Sequence, residues 1–440
     1  MRVTVIGLGY VGLTAAAVTA HLGHDVLGVE IDHARLKNLQ ASKTGIFEPG
    51  LDEMLAAGLT NGRIQLAHVD DVGVSDRDVI MVAVGTPSKA DGAADTAQIL
   101  TAVHWAIEHT TGPSVVVMKS SVPPGTGLYI CDEALAGTQF QYASNPEFLR
   151  QGSAVQDWLH PARIVIGGQT PEAVQTVEAL YATIEAPVVR TDPTTAEMIK
   201  YASNALLVTK ISFINEIAML SEKVGSDIDD IAYGLSLDPR IGPSSLGAGI
   251  GWGGSCFPKD ARALEFLAAA NGDNFDLLTA VISVNDRQKM LPFKSLQKVF
   301  GSLQNIPIAV LGLTFKPGTD DLRDAPAITL IQALHEAGAE IRAFDPEGIE
   351  RARVVLPEDV DLKDNPMDAL RGAKAAVIAT EWTDIVSLSW DEAATFMDQP
   401  RFIFDGRNAL DIDRMISLGF QYRGVGRRVV PGIYQNGARL

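Results

Sequence analysis

The sequence predicts an α/β protein: two doubly wound domains joined by a long central helix and a helical middle domain. Three observations carry that prediction. Short apolar runs alternate with helical patterns through the first part of the chain, the mark of βαβ units and a parallel sheet. A helical pattern free of Gly and Pro, TTAEMIKYASNALLVTKISFINEIAMLSEKV, fills residues 194–224. The last third repeats the first. VTVIGLG, GHDVLGVE and DVIMVAVGTP are matched in order by IAVLGLT, GAEIRAFD and AAVIATEW. Each series runs strand, Gly turn, helix, Gly, strand ending in an acid, then a strand ending near Thr. Both ends therefore read as Rossmann-like domains, over 1–190 and 302–440, around a helical domain at 191–301.

Each element has a local reason. Val3–Ile6 is a β-branched apolar run, followed by a Gly-rich turn and an Ala-rich helix to about Leu22. Asp25–Val29, Asp78–Val84 and Ser114–Lys119 are the next strands, the second stopped by the turn residues Gly85-Thr86-Pro87. The 194–224 helix would run about 45 Å. Lying between two α/β parts, it reads as a spine and oligomer contact, or else as a buried helix within one subunit. Further helical segments follow, broken by the Gly-rich stretch Gly247–Gly254. Ile308–Leu311 opens the last domain, with a helix over Ala327–Glu336. The strand Glu340–Phe344 then leads into Asp345, and strands at Ala375–Ala379 and Phe402–Phe404 complete the series.

Composition narrows the function. At ~150 residues per domain, 440 residues suggest about three domains. Apolar residues make up 46% and charged residues 20%, so the chain has the material for packed cores. Lys and Arg total 36 against 54 Asp and Glu, a formal charge of −18 that argues against nucleic acid as a partner. A single small anion still finds partners at helix N-termini. Two cysteines, Cys131 and Cys256, imply no disulfide framework. The N-terminus MRVTVIGLGY lacks the pattern of a signal peptide, and no stretch reaches ~18 uninterrupted apolar residues. The expectation is a cytoplasmic protein with no membrane partner.

Gly7-Leu8-Gly9-Tyr10-Val11-Gly12 is a G-x-G-x-x-G turn that follows a strand and opens a helix. Gly7 permits the tight turn, Gly9 lets a pyrophosphate approach the backbone, and Gly12 lets helix and strand pack closely. Glu30, eighteen residues past Gly12, ends the next strand. Its carboxylate suits a ribose hydroxyl and repels a 2′-phosphate, which favours NAD over NADP. Arg35 nearby complicates that choice, or lies over the adenine. The C-terminal copy has Gly312-Leu313-Thr314-Phe315, without the glycine set, so a second dinucleotide is not expected. Lys316 and Arg323 follow it. They suit a different phosphate ligand such as a nucleotide sugar, or form a solvated basic loop.

Cys256 sits in GIGWGGSCFPKD, flanked by Lys259 and Asp260. Backbone approaches a ligand closely in such a loop, and a nearby ammonium favours the thiolate. A nucleophile and a structural thiol are both open there, whereas Cys131 in GLYICDEAL reads as structural. Lys200 and Asn204 lie i, i+4 on one helix face, aimed at a site or at solvent. Glu147, in the Asn-Pro turn SNPEF, is a base or a capping acid. The eight histidines show no metal-ligand spacing, so no metal is expected.

Read together, eight ordered motifs resemble the UDP-glucose/GDP-mannose dehydrogenase family over essentially the whole chain. They are GLGYVG, VAVGTP, KSSVPPGTG, NPEFLRQG, AEMIKYASNALLVTKISFINE, RIGPSSLGAGIGWGGSCFPKD, FKPGTDDLRDAP and FDGRN. The resemblance implies an NAD-dependent, four-electron oxidation of a nucleotide-sugar C6 alcohol to a carboxylate through a thiohemiacetal and thioester. UDP-glucose, giving UDP-glucuronate, is the favoured substrate. By the same pattern Cys256 is the nucleophile and Lys200 and Asn204 stabilise the oxyanion. Glu147 is the general acid/base, Asp260 serves the hydrolytic water, and Ser121 keeps a hydroxyl near the nicotinamide. Tyr10, Val11, Thr86, Gln151, Lys259 and Arg323 join the glycines, Glu30 and Arg35 as cofactor contacts. Phe148, Leu149, Gly253, Lys316 and Arg407 bind the sugar nucleotide together with Glu147, Lys200 and Asn204. Arg240 reaches it from a neighbouring subunit, which implies a homodimer or a higher homo-oligomer.

Two positions depart from the family pattern. Gln151 replaces a common Glu, and Ser245 stands where an aromatic residue is frequent. They keep open the same chemistry on dTDP-glucose, GDP-mannose or a UDP-N-acetylhexosamine. A two-electron hydroxyacid dehydrogenase and a non-enzymatic NAD sensor are the remaining alternatives, and neither needs Cys256.

Overall fold

A computed structural model describes residues 1–427. The end of the sequence-predicted third domain, 428–440, lies outside the described residues. The chain forms two compact units. Unit 1 is Met1–Asn204 with Lys259–Asn274, and unit 2 is Ala205–Pro258 with the chain from Phe275 on.

Unit 1 contains β1 (Arg2–Ile6), β2 (Asp25–Glu30), β3 (Ile64–His68), β4 (Ser75–Asp76), β5 (Val79–Val82), β6 (Thr110–Thr111), β7 (Val115–Met118), β8 (Gln141–Ser144), β9 (Ile164–Gly168) and β10 (Val188–Thr191). Eight of these make one sheet in the order β10-β9-β8-β7-β5-β1-β2-β3, and β4 pairs with β6 separately. The expected parallel sheet needs one correction: β8 and β9 pair antiparallel, with Ser144 opposite Gly167. The 145–163 segment stays at the end of the sheet where β8 finishes, so β9 runs back beside it. That places the Asn-Pro-Glu turn at the ligand-facing end of the strands.

The continuous apolar runs follow from burial on both faces. Val79, Met81, Val115 and Val117 pack in one core cluster, while Ile80, Val82, Val116 and Met118 pack in another. The strand predicted over Asp78–Val84 is shorter than expected, Val79–Val82, since the Gly85-Thr86-Pro87 turn takes its end.

Unit 2 contains β11 (Pro307–Leu311), β12 (Glu340–Phe344), β13 (Asp361–Leu362), β14 (Ala375–Ile378), β15 (Phe402–Asp405) and β16 (Gln421–Gly424). They form a parallel sheet in the order β13-β12-β11-β14-β15-β16. The long helix is Pro193–Val224, 32 residues. Strand order reverses between β1 and β5 in unit 1 and between β11 and β14 in unit 2, and each reversal opens a crevice at the strand ends.

The two crevices differ chemically. In unit 2, Asp345 at the end of β12 is 1% exposed. It accepts from Leu313 N, Thr314 N, Thr314 Oγ1, Trp382 Nε1, Glu347 N and Gly348 N, at 2.6–3.1 Å. Those six donors fill the carboxylate, leaving nothing for a ribose. Among the described residues no helix is long and apolar enough to cross a membrane, and no three His, Cys, Asp or Glu side chains gather to hold a metal.

Candidate active site

The glycine turn follows β1. Gly7 has φ +85°, in the left-handed region. A Cβ on Gly12 would stand 1.8 Å from Gly7 O, whereas one on Gly9 would meet nothing within 4 Å. The Tyr10–His21 helix starts at Gly9 with no side-chain cap and no acid in its first turn. Its N–H groups therefore face open space, a seat for a pyrophosphate.

Glu30 is 7% exposed and accepts from Leu8 N at 3.2 Å, Ile31 N at 2.8 Å and Asp32 N at 3.1 Å. Arg35 lies 3.7 Å from it and donates through Nε to Leu8 O at 2.8 Å. Its Nη2 is buried with no protein hydrogen-bond partner. The guanidinium is thus turned onto Glu30 rather than held as an isolated positive charge for a 2′-phosphate. The open helix end and this orphaned donor fit a dinucleotide. Thr86 Oγ1 donates to Ser121 O at 3.0 Å, which brings two predicted cofactor contacts together. The Tyr10 hydroxyl donates to Glu48, and the carboxylate also accepts from Gly152 N at 2.7 Å and Val155 N at 3.4 Å. Burial and Glu48 raise the Tyr10 phenol well above its ordinary pKa. Glu48 therefore ties the glycine turn to the segment that carries Gln151.

The i, i+4 spacing on the long helix delivers Lys200 and Asn204 to two buried carboxylates of the same unit. Lys200 Nζ donates to Glu147 Oε1 at 3.1 Å, and Glu147 Oε2 accepts from Leu149 N at 2.6 Å. Asn204 Nδ2 donates to Asp260 Oδ2 at 2.6 Å. Lys259 Nζ lies 2.5 Å from Asp260 Oδ1, so its predicted cofactor contact would start from an ammonium already paired. All four of Glu147, Lys200, Asn204 and Asp260 are buried. The Phe148 ring lies 3.8 Å under the Arg163 guanidinium. One turn before Lys200, Glu197 accepts from Gly125 N at 2.8 Å and Gly127 N at 2.9 Å. It fixes the helix to the segment that follows Ser121, and burial holds its carboxyl at about 7.

In unit 2, the glycine-rich loop before Cys256 is held from two helices. Gly249 N donates to Asn215 Oδ1 at 2.9 Å, and Trp252 N donates to Asn285 Oδ1 at 2.8 Å. Gln288 Nε2 donates to Gly249 O at 2.8 Å. A Cβ on Gly253 would strike Asp324 O at 2.3 Å, and Gly254 N donates to Arg323 O at 2.9 Å. Cys256 is exposed at the start of the Phe257–Ala270 helix, with Asp260 in that helix's first turn. Arg323 forks onto Asp321 at 2.7–2.9 Å, and its charge is felt by Cys256. A cation there favours the thiolate. Cys131 is buried, and burial pushes its thiol up to about 11, as suits a structural thiol.

Arg407 donates to Ala379 O at 2.8 Å and Phe315 O at 3.0 Å, and lies 3.3 Å from Glu381. It clasps the loop bearing Lys316, whose ammonium lies 5.9 Å over the Phe315 ring. Arg240 is exposed and forks onto Asp238. Ser245 adopts φ +64°. Sequence reasoning did not single out Glu48, Glu197, Asn215, Asn285 or Gln288, which act through backbone contacts far along the chain, although Glu197 and Asn215 lie inside the motif AEMIKYASNALLVTKISFINE.

An open glycine-turn crevice, an acid at the end of β2 and paired buried Lys, Asn, Glu and Asp side chains define a dinucleotide-dependent oxidoreductase. Three successive domains of the UDP-glucose/GDP-mannose dehydrogenase family match this chain: the NAD binding domain over residues 1–185, the central domain over 194–287 and the UDP binding domain over 309–412. The chain is 43% identical to UDP-glucose 6-dehydrogenase YwqF of Bacillus subtilis (strain 168) over 436 residues, 98% of each chain. It is 42% identical to a UDP-glucose 6-dehydrogenase of Rhizobium meliloti (strain 1021), covering 97% of this chain and 100% of that one. A solved UDP-glucose dehydrogenase from the hyperthermophilic archaeon Pyrobaculum islandicum superposes with TM-score 0.89 at 36% identity, covering 97% of this chain and 98% of that one. A UDP-D-ManNAc dehydrogenase from Pyrococcus horikoshii gives 0.86 at 29%, covering 98% and 100%. The chain belongs to the UDP-glucose/GDP-mannose dehydrogenase family. It is an NAD-dependent oxidoreductase, and its substrate class is the UDP-sugars.

Proposed function

We propose that this enzyme oxidises UDP-glucose at C6 to UDP-glucuronate, consuming two NAD and one water, through a thioester on Cys256. The single observation that carries the chemistry is the exposed Cys256 thiol on a rigidly held glycine loop with the Arg323 charge nearby. The choice of UDP-glucose rests on the bacterial UDP-glucose 6-dehydrogenases near 40% identity. Bound NAD supplies the oxidising equivalents, one pair of electrons in each of two rounds.

Glu147 takes the proton of the C6 hydroxyl, directly or through water. Lys200 and Asn204 balance the negative charge that develops on that oxygen. The Cys256 thiolate sulfur then adds to the aldehyde carbon, forming a C–S bond as the C=O π bond opens, and Glu147 returns its proton to the oxygen to give a thiohemiacetal. Removal of the second electron pair leaves a thioester. Asp260 accepts a proton from the attacking water, the C–S bond breaks, and acid and thiol are released. A two-electron alcohol dehydrogenase has no need of the sulfur. The test is the count of NADH per sugar with limiting UDP-glucose and excess NAD. Two per sugar is the expected result. One per sugar removes the four-electron reading, and none directs the search to dTDP-glucose, GDP-mannose and UDP-N-acetylhexosamines.

The same reading makes the enzyme a homodimer or a larger homo-oligomer, working in the cytoplasm, where a reduced Cys256 persists. Leu206, Phe213 and Leu220, each more than half exposed, recur every seven residues along the long helix. A seam at that spacing suits a helix–helix contact between copies. Sedimentation should give a dimer or larger, and Phe213→Glu should shift it toward monomer. A wild-type monomer at micromolar concentration would refute the assembly.

A further inference from the structure

β9 runs against β8, with Ala143 opposite Gly168 and Ser144 opposite Gly167. Carried four residues past Ser144, that register sets Arg163 across from Phe148. The side chains keep to it. Asn145 Nδ2 donates to Val165 O at 2.7 Å, and the Arg163 guanidinium covers the Phe148 ring at 3.8 Å. Arg163 Nη2 also donates to Ser203 Oγ at 3.1 Å, and that hydroxyl donates to Ile199 O at 2.6 Å. Lys200 Nζ lies 5.4 Å from the centre of the same Phe148 ring while donating to Glu147. Arg163 therefore joins the residue that follows Glu147 to the helix turn between Lys200 and Asn204. Arg163, Phe148 and Glu147 line one cavity of about 310 Å³ within unit 1. The other cations of its lining are held elsewhere. Arg150 forks onto Asp157, and Lys119 donates to the Tyr181 hydroxyl at 2.8 Å. Among the described residues no carboxylate pairs with Arg163. Its partners are a ring face and a hydroxyl, which a planar guanidinium engages together and an ammonium does not match in geometry.

We propose that Arg163 is a positioning residue for the oxidation, clamping Phe148 to the long helix so that Glu147 stays seated against Lys200. This rests on the reading of Glu147 as the general acid/base and Lys200 as the cation for the oxyanion. Glu147 reaches Lys200 from a turn, and turns move more freely than helices. Leu149 N holds one carboxylate oxygen, but from within the same turn. Arg163 supplies the tie from that turn to the helix, one residue on from Glu147 and three from Lys200. The direction of β9 thereby acquires a reason. A parallel β9 would start at the other end of the sheet and take Arg163 away from the turn.

The test is steady-state NADH formation from UDP-glucose by the full-length enzyme, with thermal unfolding alongside. Arg163→Met keeps most of the side-chain volume and should lower kcat by about 100-fold, the cost of a misplaced reacting group. KM for NAD should stay within about twofold, because Arg163 contacts Phe148 and Ser203 and not the glycine turn. Arg163→Lys, which keeps the charge but not the fork, should be nearly as slow. Ser203→Ala removes only the hydroxyl anchor and should cost about fivefold in kcat at wild-type stability. Combined with Arg163→Met it should add nothing further, since both cut one clamp. Wild-type kcat in a folded Arg163→Met enzyme overturns the proposal. Full recovery in Arg163→Lys does so too, marking lost charge instead of lost geometry. A double variant whose losses multiply, or an NAD KM that rises as far as kcat falls, is equally fatal. Should Arg163→Met not fold, Ser203→Ala decides alone, and wild-type kcat there overturns the clamp. Glu147→Gln separates the two levels. If it keeps wild-type kcat, the parent reading of Glu147 falls and Arg163 with it. If it is inactive while Arg163→Met turns over normally, Arg163 alone falls.

Discussion

With alanine in place of Cys256, the enzyme is expected to fold, to bind NAD, and to lose acid formation by at least ~10³-fold. The substitution is structurally mild. Cys256 is exposed, and its sulfur has a 3.6 Å contact with the neighbouring Ser255 hydroxyl. The loop before it is held by Asn215, Asn285 and Gln288 through its backbone at Gly249 and Trp252. Thermal stability should therefore stay close to wild type. The chemistry has no substitute. Without the C–S bond there is no tetrahedral adduct to give up the second electron pair, and no thioester for water to cleave. A single turnover with excess enzyme should release at most one NADH per sugar, against two for wild type. Acid production at the wild-type rate by a well-folded Cys256→Ala enzyme would sink the thioester route and return Cys256 to a structural role. Loss of NAD binding in that variant would instead show that the loop had been disturbed.

Cys256 by itself read either as a nucleophile or as a structural thiol, and its role rests on the family resemblance; the frame around it is more readable, and the reason is local. The glycine turn, Glu30 at the end of β2 and the i, i+4 pair Lys200 and Asn204 each depend on spacing along a few residues, which a strand or a helix converts directly into geometry. The repeated strand–turn–helix series made both sheets readable, because strands covered on both faces are continuously apolar. What stayed hidden depends on contacts across long stretches of chain. Glu48 reaches Gly152 and Val155 over a hundred residues away, and no pattern near GIFEPG announces it. The reversal of β9 against β8 was invisible because strand direction is set by where the connecting segment lies, not by strand composition. The half-exposed edge strand β10 and the two-residue β13 carry too little apolar signal to stand out. Lys119 was inside a recognised motif, KSSVPPGTG. Its burial against Trp158 and Tyr181 appears only when helices and strands from three parts of the chain converge.

Two glycines three residues apart should fail in opposite ways when changed to alanine. At Gly12 the new Cβ would stand 1.8 Å from the Gly7 carbonyl oxygen and 3.1 Å from Ala83 Cβ. The nearest obstacle is backbone in a turn that already holds φ +85° at Gly7, so it has little freedom to retreat. Gly12→Ala should therefore cost at least ~3 kcal/mol of stability, and NAD affinity would fall with the fold. At Gly9 nothing lies within 4 Å of the added carbon, and φ is −65°, a value alanine adopts freely. Gly9→Ala should leave stability unchanged or raise it by ~0.5–1 kcal/mol, because the unfolded chain loses freedom. Its penalty should fall on the ligand. The methyl would occupy the space where the pyrophosphate approaches the first N–H groups of the helix, weakening NAD by tenfold or more, about 1.4 kcal/mol. Denaturant unfolding and calorimetric titration of NAD on the two variants separate these outcomes. A Gly9→Ala enzyme that binds NAD like wild type would mean the pyrophosphate does not pass over Gly9. A Gly12→Ala enzyme of wild-type stability would mean the turn can open by more than an ångström, contrary to the close packing of helix on strand that defines this crevice.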